Sequence, residues 1–61
     1  MIPATVRSTS PGGDVIIVGD DGFSLTVPRS VVEASVFRLL RVGQRLGVTL
    51  DDGAPVRIDL P

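Results

Sequence analysis

Two Asp-Asp-Gly triplets, Asp20-Asp21-Gly22 and Asp51-Asp52-Gly53, contain the adjacent carboxylates of this 61-residue chain. Neighbouring carboxylates are the groups that general acid-base catalysis or a hard cation site requires. Each pair, however, stands directly before a glycine and between two apolar segments, which is typical of a hairpin turn. We therefore predict two turns at these positions, not a catalytic or cation site.

Other catalytic chemistry lacks its usual residues. The chain has no Cys and no His, and all six of its cations are Arg. Ser and Thr hydroxyls therefore have no His or Lys to activate them, and disulfides and the commonest metal ligands are excluded. The run Pro11-Gly12-Gly13-Asp14 lacks the Lys and the following helix of a phosphate-binding loop. The sequence predicts a protein that is not an enzyme and holds no cofactor or metal.

The arginines are the remaining groups that could bind a ligand. The formal net charge is −1 and the isoelectric point is about 4.9, so the chain lacks the overall basic field expected of a nucleic-acid-binding protein. Arg38, Arg41 and Arg45 nevertheless recur at helix-like spacing. This pattern is compatible with a basic stripe for phosphate or a partner, and equally with a favourable helix dipole and solubility.

An apolar run, Val15-Ile16-Ile17-Val18, interrupts the alternation expected of a half-buried strand. If Val15 and Ile17 face the core, Ile16 and Val18 form an apolar patch on the other face. Such patches usually mark interaction sites. We predict a protein contact at Ile16 and Val18, with coverage by a loop or chain end as the alternative.

These residues must be positioned by short strands. Period-two alternation, turn residues and one change to helical period predict five strands at Met1–Ser8, Asp14–Val18, Phe23–Val27, Gln44–Leu50 and Pro55–Leu60, and a helix over Ser30–Arg41. Ser30 and Glu33 have the spacing of a capping box, and Gly43 is placed to end the helix. Gly47 is predicted to mark a bulge or a tight bend.

The order of these elements predicts an all-β fold: a small five-stranded OB-like barrel with one short helix between strands three and four. A chain of this length forms a single domain, residues 1–61, with a thin core that a second subunit would enlarge. No apolar run approaches the roughly 18 residues of a membrane span, and no secretory signal is visible. We expect a cytoplasmic protein.

The segment from Phe37 to Pro61, "FRLLRVGQRLGVTLDDGAPVRIDLP", resembles the C-terminal part of bacterial cold-shock domains. Its matching residues are Phe37, Arg38, Leu40, Gly43, Gln44 and Leu46. "ATVRS" near the N-terminus looks like the opening strand of that family, and "RSVV" at residues 29–32 looks like the end of its third strand. The resemblance covers most of the chain and is moderately specific only at the Gly-Gln pair.

The resemblance implies an OB barrel that binds single-stranded RNA or DNA through stacked aromatic side chains and basic residues. Here the aromatic positions of the family fall on non-aromatic residues: Ser8, Asp14, Ile16, Thr26, Pro28 and Arg29. The chain has only two aromatics, Phe23 on the predicted core face and Phe37 in the predicted helix. The resemblance also implies that Arg7 and Arg29 lie on the nucleic-acid face, where they would contact phosphates; the alternative is that they are solvated surface arginines.

Two functions follow as expectations. The first is weak, sequence-nonspecific binding of single-stranded RNA or DNA through Arg7, Arg29, Arg38, Arg41 and Arg45. The second is a divergent OB module that has lost nucleic-acid binding and contacts a protein, or a second copy of itself, across Ile16 and Val18. Neither requires a metal, a cofactor or a membrane.

Overall fold

The computed structural model describes all residues, 1–61, as one curled antiparallel sheet. Its strands are β1 (Ile2–Thr9), β2 (Val15–Gly19), β3 (Ser24–Val27), β4 (Arg45–Asp51) and β5 (Ala54–Asp59), and a short helix α1 (Arg29–Glu33) follows β3. The strand order is β3-β2-β1-β4-β5. The sheet forms a half-barrel, so the predicted all-β, OB-like fold is confirmed.

The core lies on the concave face of this sheet. It is built from small and branched side chains of all five strands, with Leu40 added from the segment after α1, and no polar side chain is buried. Val15 and Ile17 point into the core, whereas Ile16 and Val18 lie on the outer face, as the alternation predicts. Five strands therefore share one face that excludes water.

Both predicted Asp-Gly turns are confirmed. Asp52 and Gly53 have φ values of 53° and 81°, as a tight turn between β4 and β5 requires. Gly22, with a φ of 95°, lies in the turn between β2 and β3, and its N–H donates to the Gly19 carbonyl at 2.9 Å. The adjacent carboxylates are thus explained by local turn conformation.

The register of the sheet is irregular at other positions than Gly47, where the sequence predicted an irregularity. Gly47 is in regular register with Pro3 on β1 and with Asp59 on β5. The register shifts instead between Val6 and Ser8 on β1 and between Thr49 and Leu50 opposite β5. A side chain at Gly47 would meet Met1, whose Sδ atom would lie 2.6 Å from the added Cβ. Close packing of Met1, not a bulge, accounts for the glycine.

The predicted helix over Ser30–Arg41 is wrong in length, because α1 ends at Glu33. The capping box is also absent: Pro28 occupies the N-cap without a side-chain hydrogen bond, and Glu33 accepts from Arg29 instead. Ser35 Oγ donates to the Val32 carbonyl at 2.6 Å, which is the acceptor that a further helical turn would use. Ser35 and the β-branched valines therefore favour termination after one turn.

Residues 34–44 form an irregular segment that returns the chain to the sheet. Leu40 is its only buried residue, while Val36, Leu39 and Val42 are exposed. Gly43 has a φ of 91° and donates its N–H to the Val6 carbonyl at 2.8 Å. Gln44 accepts from the Val6 N–H at 2.9 Å. Arg38 and Arg41 consequently belong to this segment and not to the last turn of a helix.

We expect Gly19→Ala to destabilise the protein by about 1–3 kcal/mol, because the added Cβ would overlap the ring of Phe23. Thermal unfolding followed by circular dichroism measures the loss. Gly47→Ala is the matched control, since the flexible end of Met1 can move, and its expected cost is under about 1 kcal/mol. Equal losses in the two variants would contradict the role assigned to Phe23.

Candidate nucleic-acid interface

Two of the five predicted binding arginines are engaged with carboxylates. Arg29 Nε lies 2.6 Å from Glu33 Oε1, and its backbone N–H donates to Asp14 Oδ1 at 2.8 Å. Arg45 holds Asp20 through two hydrogen bonds of 2.7 and 2.9 Å and also donates to Thr5 at 3.1 Å. A phosphate would have to compete with a carboxylate at either residue.

The electrostatics of these two pairs agree with their geometry. Hydrogen bonds from Arg45 lower the pKa of Asp20 from its usual value, against an opposing effect of desolvation. Glu33 raises the pKa of Arg29, and Asp20 raises the pKa of Arg45. The partners of each pair therefore neutralise each other, although exposure to solvent keeps the contribution of the pair to stability small.

The other three arginines, Arg7, Arg38 and Arg41, have no carboxylate partner. Arg7 occupies the bulge of β1, the position between Val6 and Ser8 that has no partner on β2. Val6 is bonded to Gly43 and Gln44, and the Gln44 N–H donates to the carbonyl of Arg41 at 3.0 Å. The turn that carries Arg41 thus lies directly beside the bulge that carries Arg7.

Arg38 lies near the same end of the sheet. It lines a depression of about 260 Å³ together with Thr9, the last residue of β1, the following Ser10, and Asp14 and Leu40. The three unpartnered arginines are therefore brought together around the end of β1, although 31 to 34 positions of sequence separate Arg7 from the other two. We call Arg7, Arg38 and Arg41 the basic end.

The opposite end of the sheet is acidic. The Asp20 N–H donates to the Pro3 carbonyl at 3.1 Å, so the β2–β3 turn with Asp20 and Asp21 lies where β1 begins. The β4–β5 turn lies toward the same end, because Ile2 pairs with Val48 and β4 continues beyond it to Asp51 and Asp52. Four aspartates therefore lie at the end of the sheet opposite to Arg7, Arg38 and Arg41.

The outer face of the sheet carries no aromatic side chain. Phe23 lies over Gly19 beside the core, and Phe37 is half-buried against the core. Bases consequently have no stacking platform here, as the sequence predicts.

Ile16 and Val18 lie on this outer face, Ile16 exposed and Val18 half-buried. Their cross-strand neighbours all carry hydroxyl groups: Ser8 and Thr26 beside Ile16, and Thr5 and Ser24 beside Val18. The apolar patch is therefore two residues wide and is bordered by polar groups. The prediction of a protein contact at this patch stays a prediction.

No group of three carboxylates lies close enough together to hold a metal ion, and no helix has the length and apolarity that a membrane crossing needs.

The sequence identified the three arginines of the basic end as candidates, but it did not predict that they lie around the same end of β1. The Arg29–Glu33 pair could have been found from its i, i+4 spacing. The Arg45–Asp20 pair could not, since it depends on the register of three strands.

Comparisons with family models, curated proteins and solved structures found no match to this chain. The resemblance to cold-shock domains accordingly stays a prediction, while the OB-like architecture stands on the strand order described above.

Proposed function

We propose that this protein binds single-stranded nucleic acid weakly and without sequence preference, through phosphate contacts at the basic end. The observation that carries the proposal is the convergence of Arg7, Arg38 and Arg41, which have no carboxylate partner, around the end of β1. Planar guanidinium groups bind phosphate in a bidentate manner. Arg29 and Arg45 contribute less, because Glu33 and Asp20 already neutralise them.

The absence of a stacking platform sets the mode of binding. Each stacked base contributes about 1–3 kcal/mol in proteins that use aromatic platforms, and that contribution is missing here. Phosphate contacts carry no sequence information. Hydroxyl groups at Thr9 and Ser10 lie next to Arg38 and are suited to further contacts with phosphate or sugar. The proposed ligand is therefore a flexible polyanion, single-stranded RNA or DNA. The proposed place of binding is the cytoplasm.

Fluorescence anisotropy with labelled oligothymidine and oligouridine tests the proposal. Three phosphate contacts to a single strand predict a slope of about −2 for log K against log salt. We expect the affinity to fall about twentyfold between roughly 50 and 200 mM salt, with similar values for the two oligonucleotides. No binding of either oligonucleotide at about 50 mM salt and 1 mM protein would exclude the proposed function.

A further inference from the structure

Two strongly exposed apolar side chains stand between the arginines of the basic end. Leu39 and Val42 are each 69% exposed, and the order Arg38-Leu39-Leu40-Arg41-Val42 places each of them directly after an unpartnered arginine. Of this run only Leu40 is buried. Phosphate contacts by the arginines would leave both exposed side chains in water, so nucleic-acid binding does not account for them.

The fold does not account for Val42 either. The Gln44 N–H donates to the Arg41 carbonyl at 3.0 Å and Gly43 has a φ of 91°, so residues 41–44 form a β-turn in which Val42 is the first central residue. Central turn positions usually hold Gly, Pro, Asn, Asp or Ser. Val42 is not part of the core, and its apolar side chain therefore stands at the tip of an exposed turn without a structural role.

The charge around these two side chains is positive. The three arginines of the basic end have no carboxylate partner. On the same side of the molecule, Glu33 is paired with Arg29, and Asp14 accepts a hydrogen bond from the backbone N–H of Arg29 at 2.8 Å. The basic end therefore presents free cations and exposed apolar side chains on one surface.

We propose that the basic end also attaches the protein to the surface of a lipid bilayer that contains anionic phospholipids. Leu39 and Val42 enter the boundary between headgroups and acyl chains, while the three arginines contact the lipid phosphates around them. Arginine suits this position, because its methylene stem lies along apolar material while its guanidinium group stays at the level of the headgroups. The attachment is a second activity of this surface and does not rest on the proposed nucleic-acid binding.

Charge and size favour a bilayer over a protein as the occupant. A second copy placed here by two-fold symmetry would bring the free arginines of both copies together, and like charges repel each other. A specific protein interface buries about 1,000 Å² or more with good shape complementarity, whereas the apolar part of this surface is two side chains. A fluid bilayer needs no complementary shape. The attachment is weak and reversible, since stable anchoring requires more apolar burial or more cations than this.

Co-sedimentation of the chain with lipid vesicles tests the inference. The vesicles contain phosphatidylcholine alone, or phosphatidylcholine with about one third phosphatidylglycerol, at up to about 5 mM lipid and about 50 mM salt. We expect half of the protein to bind the anionic vesicles at roughly 1 mM lipid. Binding to the uncharged vesicles is expected to be at least about tenfold weaker.

The variant Leu39→Ser/Val42→Ser removes the apolar side chains and no charge. It is expected to weaken vesicle binding at least about tenfold, while its affinity for oligothymidine changes less than about twofold, because phosphate contacts do not use these side chains. Val56→Ser/Leu60→Ser is the matched control. It makes the same two changes at side chains that are 49% and 63% exposed elsewhere on the molecule, and we expect it to leave vesicle binding within about twofold of the wild type.

Replacing the three arginines of the basic end with Gln is expected to weaken binding to anionic vesicles about fivefold for each arginine removed. Circular dichroism confirms that each variant folds. Failure to bind anionic vesicles at about 5 mM lipid overturns the inference, even if the protein binds oligonucleotides. Conversely, vesicle binding without oligonucleotide binding supports the inference and overturns only the proposed function.

Two further outcomes would contradict attachment through Leu39 and Val42. Vesicle binding that Leu39→Ser/Val42→Ser leaves intact overturns the inference, because attachment is then electrostatic alone. Sedimentation velocity without lipid provides the other. A wild type that self-associates, with Leu39→Ser/Val42→Ser monomeric under the same conditions, overturns it too, since these side chains then contact a second copy.

Discussion

Replacing Ile17 with Ala is expected to remove about half of the free energy that stabilises the folded protein. Ile17 is fully buried in the centre of β2, opposite Val6 on β1 and Leu25 on β3. Truncating a buried Ile to Ala costs about 2–5 kcal/mol, through lost burial and the cavity left behind. A domain of this length has a total stability of about 3–9 kcal/mol, so the loss is a large fraction of the whole.

The adjacent residue supplies the control for this experiment. Ile16→Ala makes the same chemical change one position away, on the outer face, where Ile16 is 38% exposed. Its expected cost is under about 1 kcal/mol. Urea denaturation followed by circular dichroism measures both variants. Similar losses of stability at the two positions would mean that the outer face of β2 is as tightly packed as the core, contrary to the structure.

The contrast between Ile16 and Ile17 also shows why the sheet could be predicted from sequence. Period-two alternation distinguishes the two faces of a strand, and the turns at Asp20–Gly22 and Asp51–Gly53 require the residues that stand there. Both signals are local. Each strand consequently lies within one residue of its predicted bounds.

The helix could not be predicted in the same way. Leu39 and Leu40 follow Val32 and Val36 at helical spacing, yet only Leu40 is buried. What ends α1 is a competition between the Ser35 hydroxyl and the backbone for the Val32 carbonyl. The spacing of apolar residues contains no information about that competition, or about the bonds from Val6 that draw the segment back to the sheet.

The candidate interface was predictable in composition but not in arrangement. All five candidate arginines are visible in the sequence, and two of them prove to be held by carboxylates. Arg45 contacts Asp20, 25 positions away in the sequence, only because β1 pairs with β2 on one side and with β4 on the other. The same topology brings Arg41 beside Arg7. Long-range register therefore decides which cations are free to meet a ligand.

Removing the three free arginines is expected to abolish most nucleic-acid binding. The variant Arg7→Gln/Arg38→Gln/Arg41→Gln keeps hydrogen-bonding side chains but loses three positive charges. At about 1 kcal/mol for each charged contact, the expected loss of affinity at low salt is roughly a hundredfold. The slope of log K against log salt is expected to fall from about −2 to near zero. Anisotropy with labelled oligothymidine and oligouridine measures both quantities.

The two arginines that are bound to carboxylates provide a control variant. This variant distinguishes binding at the basic end from an effect of net charge alone. Arg29→Gln/Arg45→Gln removes two positive charges from guanidinium groups that Glu33 and Asp20 already neutralise. Exposed ion pairs of this kind contribute little to stability, so the variant should fold, and its affinity is expected to fall less than about threefold for each charge removed. If both variants lose the same affinity per charge, binding depends on overall charge. In that case the convergence of Arg7, Arg38 and Arg41 around the end of β1 does not form a site.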